Sequence, residues 1–286
     1  MKRLLIIAVT LVPLTLCPAT ASAFSFKWKA VPTDGSRTGV TAPNAANVTE
    51  ALGTFKGKTY IAPNGVKYKK KSATAKAARL MMDAQPEMAY VKEVVGYCPK
   101  GLSRRGPESL LGNWSIDCMM ACAEKEFGKH MDIGVTNHGG IRIDMPQGDV
   151  LVDDLLSMFP FNNYLCCLEL RGSDVLKLFD AMADHMQAVG GVKVTIKDHK
   201  VQELLVGGEP VDPDKVYNLV TIDFLLNGGD GIFAGADALS IEASTVKVYD
   251  AIIANVRELT AAGKYIEAEP DGRVVNLDPK RRPSDF

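Results

Sequence analysis

Net charge is the first thing this sequence lacks: 33 Lys and Arg residues face 34 Asp and Glu over 286 positions. A near-neutral chain has no global field with which to attract nucleic acid or a membrane surface, so any anion has to be caught locally by placed side chains. Histidine is scarce as well. His130, His138, His185 and His199 are the whole set. No two of them lie within seven residues of each other. Apolar runs after the N-terminus are all too short to span a bilayer. Internal repeats and low-complexity tracts are absent too, which sets aside solenoid architectures.

What the N-terminus does contain is Lys2-Arg3, an apolar stretch over residues 4–16 broken by Pro13, and Ala21-Ser22-Ala23 before Phe24. That order of basic, apolar and small-x-small segments predicts a cleaved export signal over residues 1–23 and a periplasmic or extracellular protein. Lipid attachment at Cys17 is the competing reading, disfavoured by the large Leu16 before it. Beyond the signal stand Cys98, Cys118, Cys122, Cys166 and Cys167. An odd number cannot all pair, and neither close pair has histidines at metal-site spacing. They are expected as free thiols behaving as small buried hydrophobes.

Residues 24–71, rich in Lys, Gly, Thr, Asn and Pro, read as an N-terminal arm of loops and short strands. One of these strands falls at 58–62, and Phe24, Phe26 and Trp28 alternate as on an edge strand. Residues 72–266 read as the main domain. Apolar spacing predicts helices at 72–84, 109–127, 173–188 and 245–262. Strands are expected at 91–97, 131–136, 164–170, 192–196, 201–206 and 216–222, the fourth and fifth forming a hairpin. Residues 267–286 read as a loose polar tail. Strands and helices interleave while some neighbours are hairpins, so the fold class is α/β with a mixed sheet and flanking helices.

Two glycine loops follow predicted strands. The first is Asn137-His138-Gly139-Gly140-Ile141-Arg142, and the second is Asn227-Gly228-Gly229-Asp230-Gly231. Gly139 and Gly140, like Gly228 and Gly229, permit close approach of a ligand to the backbone. Arg142 offers a planar fork for phosphate or carboxylate. Phe161 and Phe224 lie beside these loops in sequence, and paired aromatic faces bind a flat base by stacking. A carboxylate such as Asp230 accepts hydrogen bonds from ribose hydroxyls. The combination points to a nucleotide, while core aromatics and a turn-forming aspartate remain the plainer reading of the same residues.

These loops, with Pro160-Phe161-Asn162, Leu170-Arg171-Gly172 and Phe224-Leu225-Leu226 in the same order, resemble the 5'-nucleotidase C-terminal domain. That is the nucleotide-binding half of ecto-5'-nucleotidases and periplasmic UDP-sugar hydrolases. Glu108, Leu111-Gly112-Asn113 and Asp117 resemble the helix that opens it. The resemblance implies that Phe161 and Phe224 sandwich the base, Asn137 bonds its edge, Asp230 holds the ribose and Arg142 contacts phosphate. Arg105, by its spacing from Gly112, is the second phosphate contact, with Arg104 its neighbour and rival. His138 receives no catalytic task. Family enzymes hydrolyse phosphate esters with two metals on a separate metallophosphoesterase domain, whose clusters this chain lacks. It is therefore expected to bind no metal or other cofactor and to present a nucleotide or nucleoside to a separately encoded metallophosphoesterase that carries the divalent metals. The alternative is an exported binding protein with no hydrolase partner.

Overall fold

The computed structural model describes residues 48–84, 86, 89–106 and 108–278. The export signal and the Phe24, Phe26 and Trp28 alternation lie outside the described residues. From Val48 onward, α1 (Val48–Ala51) leads into β1 (Thr54–Lys56), β2 (Thr59–Ile61) and β3 (Lys67–Lys69), an antiparallel sheet followed by α2 (Ala73–Ala84). Phe55, Tyr60 and Tyr68 come from the central positions of the three strands. Tyr60 is buried with Ala75 and Ala78 of α2, and Phe55 and Tyr68 pack against that cluster.

The larger core begins at β4 (Val94–Cys98) and α3 (Leu110–Phe127). Ser109 caps α3 by accepting the Gly112 N–H at 2.9 Å, and Gly128 closes it at φ 63, within a residue of the helix expected over 109–127. Then come β5 (Ile133–Thr136), β6 (Gly148–Leu151), α4 (Val152–Met158), β7 (Tyr164–Arg171), α5 (Gly172–Ala181), β8 (Ala188–Gly190), β9 (Val192–Lys197) and β10 (Lys200–Val206). The chain continues through β11 (Glu209–Pro210), β12 (Val216–Ile222), α6 (Asp223–Leu226), β13 (Ser240–Lys247), α7 (Val248–Ala261) and β14 (Val274–Asn276). The fold is α/β, with a five-stranded sheet in the order β13-β7-β12-β5-β8. Only β5 and β12 run parallel in it, so the sheet is mixed. A second sheet, β11-β10-β9-β14, holds the expected hairpin. Among the described residues Cys98, Cys118, Cys122, Cys166 and Cys167 are all free, and burial pushes the Cys166 thiol up to about 11, which keeps it protonated and unreactive.

Three elements differ from the sequence expectation. The helix expected over 173–188 stops at Ala181, and residues 188–190 form an edge strand of the central sheet. Residues 240–247 form β13, so the last helix begins at Val248 rather than 245. The polar tail is not loose throughout, because β14 pairs in parallel with β9. Arg273, just before β14, explains that order. Its guanidinium reaches Asp117 of α3 at 2.7 and 3.0 Å, Asp271 at 2.7 Å and the Val189 carbonyl at 3.1 Å. Glu108 adds a clasp by accepting the Asn113 amide and the Asp271 and Gly272 N–H groups.

Candidate functional site

Parallel pairing of β5 with β12 brings the ends of both strands out on one side of the sheet, the usual place for a ligand crevice in α/β folds. The Asn137–Arg142 loop leaves β5 there and the Asp223–Gly231 segment leaves β12 beside it. Antiparallel β7 begins at that same end, with Ile222 registered against Leu165, so the Phe159–Asn163 loop becomes the third wall. The walls are tied together. The Arg142 N–H donates to the Met158 carbonyl at 2.9 Å. The Asp223 carboxylate accepts both the Tyr164 and Phe224 N–H groups at 3.0 Å.

Asn137 is buried, and its Nδ2 donates to the Asp230 carboxylate at 2.6 Å, so the two glycine loops meet directly. A hydrogen bond to a charged acceptor is worth about 1.5–3 kcal/mol. It also fixes which way the amide faces, since only Nδ2 can donate. The amide oxygen is left buried without a partner, and Asn137 lines a recess of about 20 Å³ with Thr136, Gly140, Phe159, Phe161 and Ile222. That volume holds one water, so a flat ring would lie across the mouth. Phe161 and Phe224 are each 44% exposed, and the ring contacts among the described residues do not include one between them.

Two of the glycines are required by contact. A Cβ at Gly140 would stand 2.7 Å from Asn137 Oδ1, and one at Gly229 would stand 2.2 Å from the Phe224 carbonyl and 2.6 Å from its ring. Gly139 faces Asp230, and Gly228 lies under the ring of Phe233. Asp230 itself sits at φ 50, a left-handed conformation uncommon outside glycine and concentrated at functional sites. Arg142 donates to the Gly139 carbonyl at 2.9 Å and lies 5.8 Å from the Phe161 ring centre, exposed at the rim. Arg104 is committed to structure, donating to the Ile141 carbonyl and pairing with Asp144. Arg105 is exposed on the same turn, with its backbone N–H on Ser103 Oγ.

Other residues of the motif set lie away from this cleft. Arg171 and Gly172 are at the far end of β7, where Gly172 packs on the Asp212 carbonyl. Glu108, Asn113 and Asp117 fasten the C-terminal segment. Sequence reasoning missed Asp223 as the bracket between two walls. It also missed Gln187, whose Oε1 accepts the His138 N–H at 2.9 Å.

The profile described as 5'-nucleotidase, C-terminal domain, matches residues 88–237, more than half of the chain. The chain belongs to that family. A cell wall protein of Listeria monocytogenes is 31% identical over 59% of this chain and 24% of its own length. The UshA protein of Escherichia coli is 34% identical over 35% of this chain and 19% of its own. A solved structure of a 5'-nucleotidase precursor from Thermus thermophilus superposes with a TM-score of 0.62 at 26% identity, covering 72% of this chain and 43% of that one. The chain thus spans a quarter or less of the length of these two curated relatives.

Among the described residues no group of three or more His, Cys, Asp or Glu converges as ligands. His130 is held by Glu124, His199 by Asp184, and His138 is half-buried with its ring against Gly112. Burial holds the His138 imidazole below its ordinary 6.5, with Nδ1 unpartnered. The unfolded chain therefore binds more protons as pH falls below about 6.5, and stability drops from there down to the folded value. His138→Gln should flatten this part of the profile. The wild-type chain should lose more melting temperature between pH ~7.5 and ~5.5 than the variant; equal losses would contradict the assignment.

Proposed function

We propose that this chain is the nucleotide- or nucleoside-binding half of an exported 5'-nucleotidase-type phosphohydrolase, with the catalytic metal pair on a separate polypeptide. The observation that carries the reading is the buried, unpartnered Asn137 Oδ1 in a recess that the exposed Phe161 also lines, with the exposed Phe224 on the segment whose Asp230 bonds Asn137. A donor on a base edge would satisfy it while Phe161 and Phe224 stack on the two ring faces. Asp230 would accept the ribose hydroxyls, and Arg142 and Arg105 would hold the phosphate at the rim. Export is supported by the N-terminal signal pattern and by the name of the Listeria relative as a cell wall protein. No helix among the described residues is long and apolar enough to cross a membrane.

In this reading the binding half contributes position. It fixes the phosphate ester beside metals that another chain supplies, and proximity of this kind lowers the barrier by removing orientational freedom in advance. A cleft that takes a base and ribose also suits the second reading, a binding protein with no hydrolase partner. Assays with AMP and UDP-sugars in divalent metal separate the possibilities. The split enzyme predicts no hydrolysis by the purified chain and chelator-sensitive hydrolysis, faster than the partner alone, once an exported metallophosphoesterase is added. Robust hydrolysis by this chain alone would overturn both readings.

A further inference from the structure

The near-neutral total hides a strong segregation of charge. Residues 48–84 carry eight Lys and Arg against two acidic residues, whereas residues 85–278 carry seventeen against thirty. In the three-stranded sheet, alternation puts Phe55, Tyr60 and Tyr68 on the α2 side. The opposite face then carries Lys56, Thr59 and Lys69 in one cross-strand row and Thr54, Ile61 and Lys67 in the next. This register keeps lysines apart, since Lys56 and Lys69 flank Thr59 on outer strands roughly 10 Å from each other. Lys58 in the β1–β2 turn and Lys70 and Lys71 after β3 extend the patch. All six lysines are exposed, and none takes part in an ion pair among the described residues.

We propose that this lysine face docks the protein on the anionic headgroups of a phospholipid bilayer. Its chemistry favours that occupant over others. The aromatic rings point inward, so bases of a single-stranded nucleic acid have nothing to stack on. Protein interfaces are depleted in lysine and enriched in aromatic residues and arginine at their centres, the reverse of this face. Spaced lysines without a bidentate fork suit diffuse surface charge. Val66, 44% exposed, stands at the tip beside Lys67, where an apolar side chain can enter the headgroup layer. The acidic remainder of the chain would be repelled by the same surface, leaving the lysine face as the contact.

Sedimentation with vesicles of phosphatidylcholine alone, or with about one third phosphatidylglycerol, tests this on the full chain. Binding is expected only to the anionic vesicles at ~0.1 M NaCl, with loss at ~0.5 M as screening shortens. Replacing Lys56, Lys67 and Lys69 by serine should weaken it roughly 100-fold, at about fivefold per charge. The same charge change at Lys193, Lys197 and Lys200 should leave it within about twofold. An unchanged melting temperature in the first variant shows that the inner aromatic face is intact. Equal binding to neutral vesicles, equal loss in the two triple variants, or retention of polyphosphate but not vesicles would overturn the proposal.

Discussion

Phe161→Ala and Phe224→Ala should each weaken adenosine or uridine binding by about 1–3 kcal/mol, and the double variant by at least roughly thirtyfold. The size follows from the geometry. Both rings are 44% exposed, which leaves apolar faces in water that a stacked base would cover. The ring of Phe224 lies against Gly229, a contact that any Cβ would prevent. Both side chains are exposed and stand outside the core cluster, so truncation should spare the core and melting temperatures should move by only a few degrees. Calorimetric titration of the three variants reads the effect, and wild-type affinity in the double variant would dissociate the phenylalanines from the ligand.

Arg273→Ala should cost about 2–3 kcal/mol of folding stability, seen as a fall in melting temperature of roughly 4–12 °C for a domain of this size. The guanidinium is 12% exposed, sits between Asp117 and Asp271, and also donates to the Val189 carbonyl. Its loss leaves two neighbouring carboxylates uncompensated and releases β14 from β9. Those carboxylates are 52% and 49% exposed, so water recovers part of the loss, and the effect stays below that of a fully buried pair. Arg273→Lys should recover less than half, since an ammonium cannot fork between two carboxylates and a carbonyl. A melting temperature unchanged in both variants would show that the clasp is ornamental to the fold.

Whatever rested on local chemistry was legible in the sequence. Ser109 and Gly128 bracket α3 because capping is decided within one helical turn. The hexapeptide could be placed at a strand end because Ile133–Thr136 is apolar and then breaks into glycine. The missed elements lack such signals. β8 has three residues, buried at every position, so no alternation shows. β13 is an edge strand with no buried side chain, held to β7 through its backbone. β14 is ordered by Arg273, whose partner Asp117 is remote in sequence.

The site shows the same division. Asn137 and Asp230 could each be proposed from residue type, while their direct bond needs the parallel pairing of β5 and β12. Asp223 looks like an ordinary helix-start aspartate until its carboxylate is found bridging Tyr164 and Phe224. Net charge said least, because a balanced sum hides a lysine face on one part of the chain and an acidic surplus on the rest.

The central claim is that the Asn137 and Asp230 loops build a nucleotide cleft. The most direct test is calorimetric titration of the purified chain with adenosine, uridine and their monophosphates in metal-free buffer. Saturable one-to-one binding is expected for at least one base, tighter for the monophosphate through Arg142 and Arg105. No heat from any of the four, with the chain folded, would contradict it.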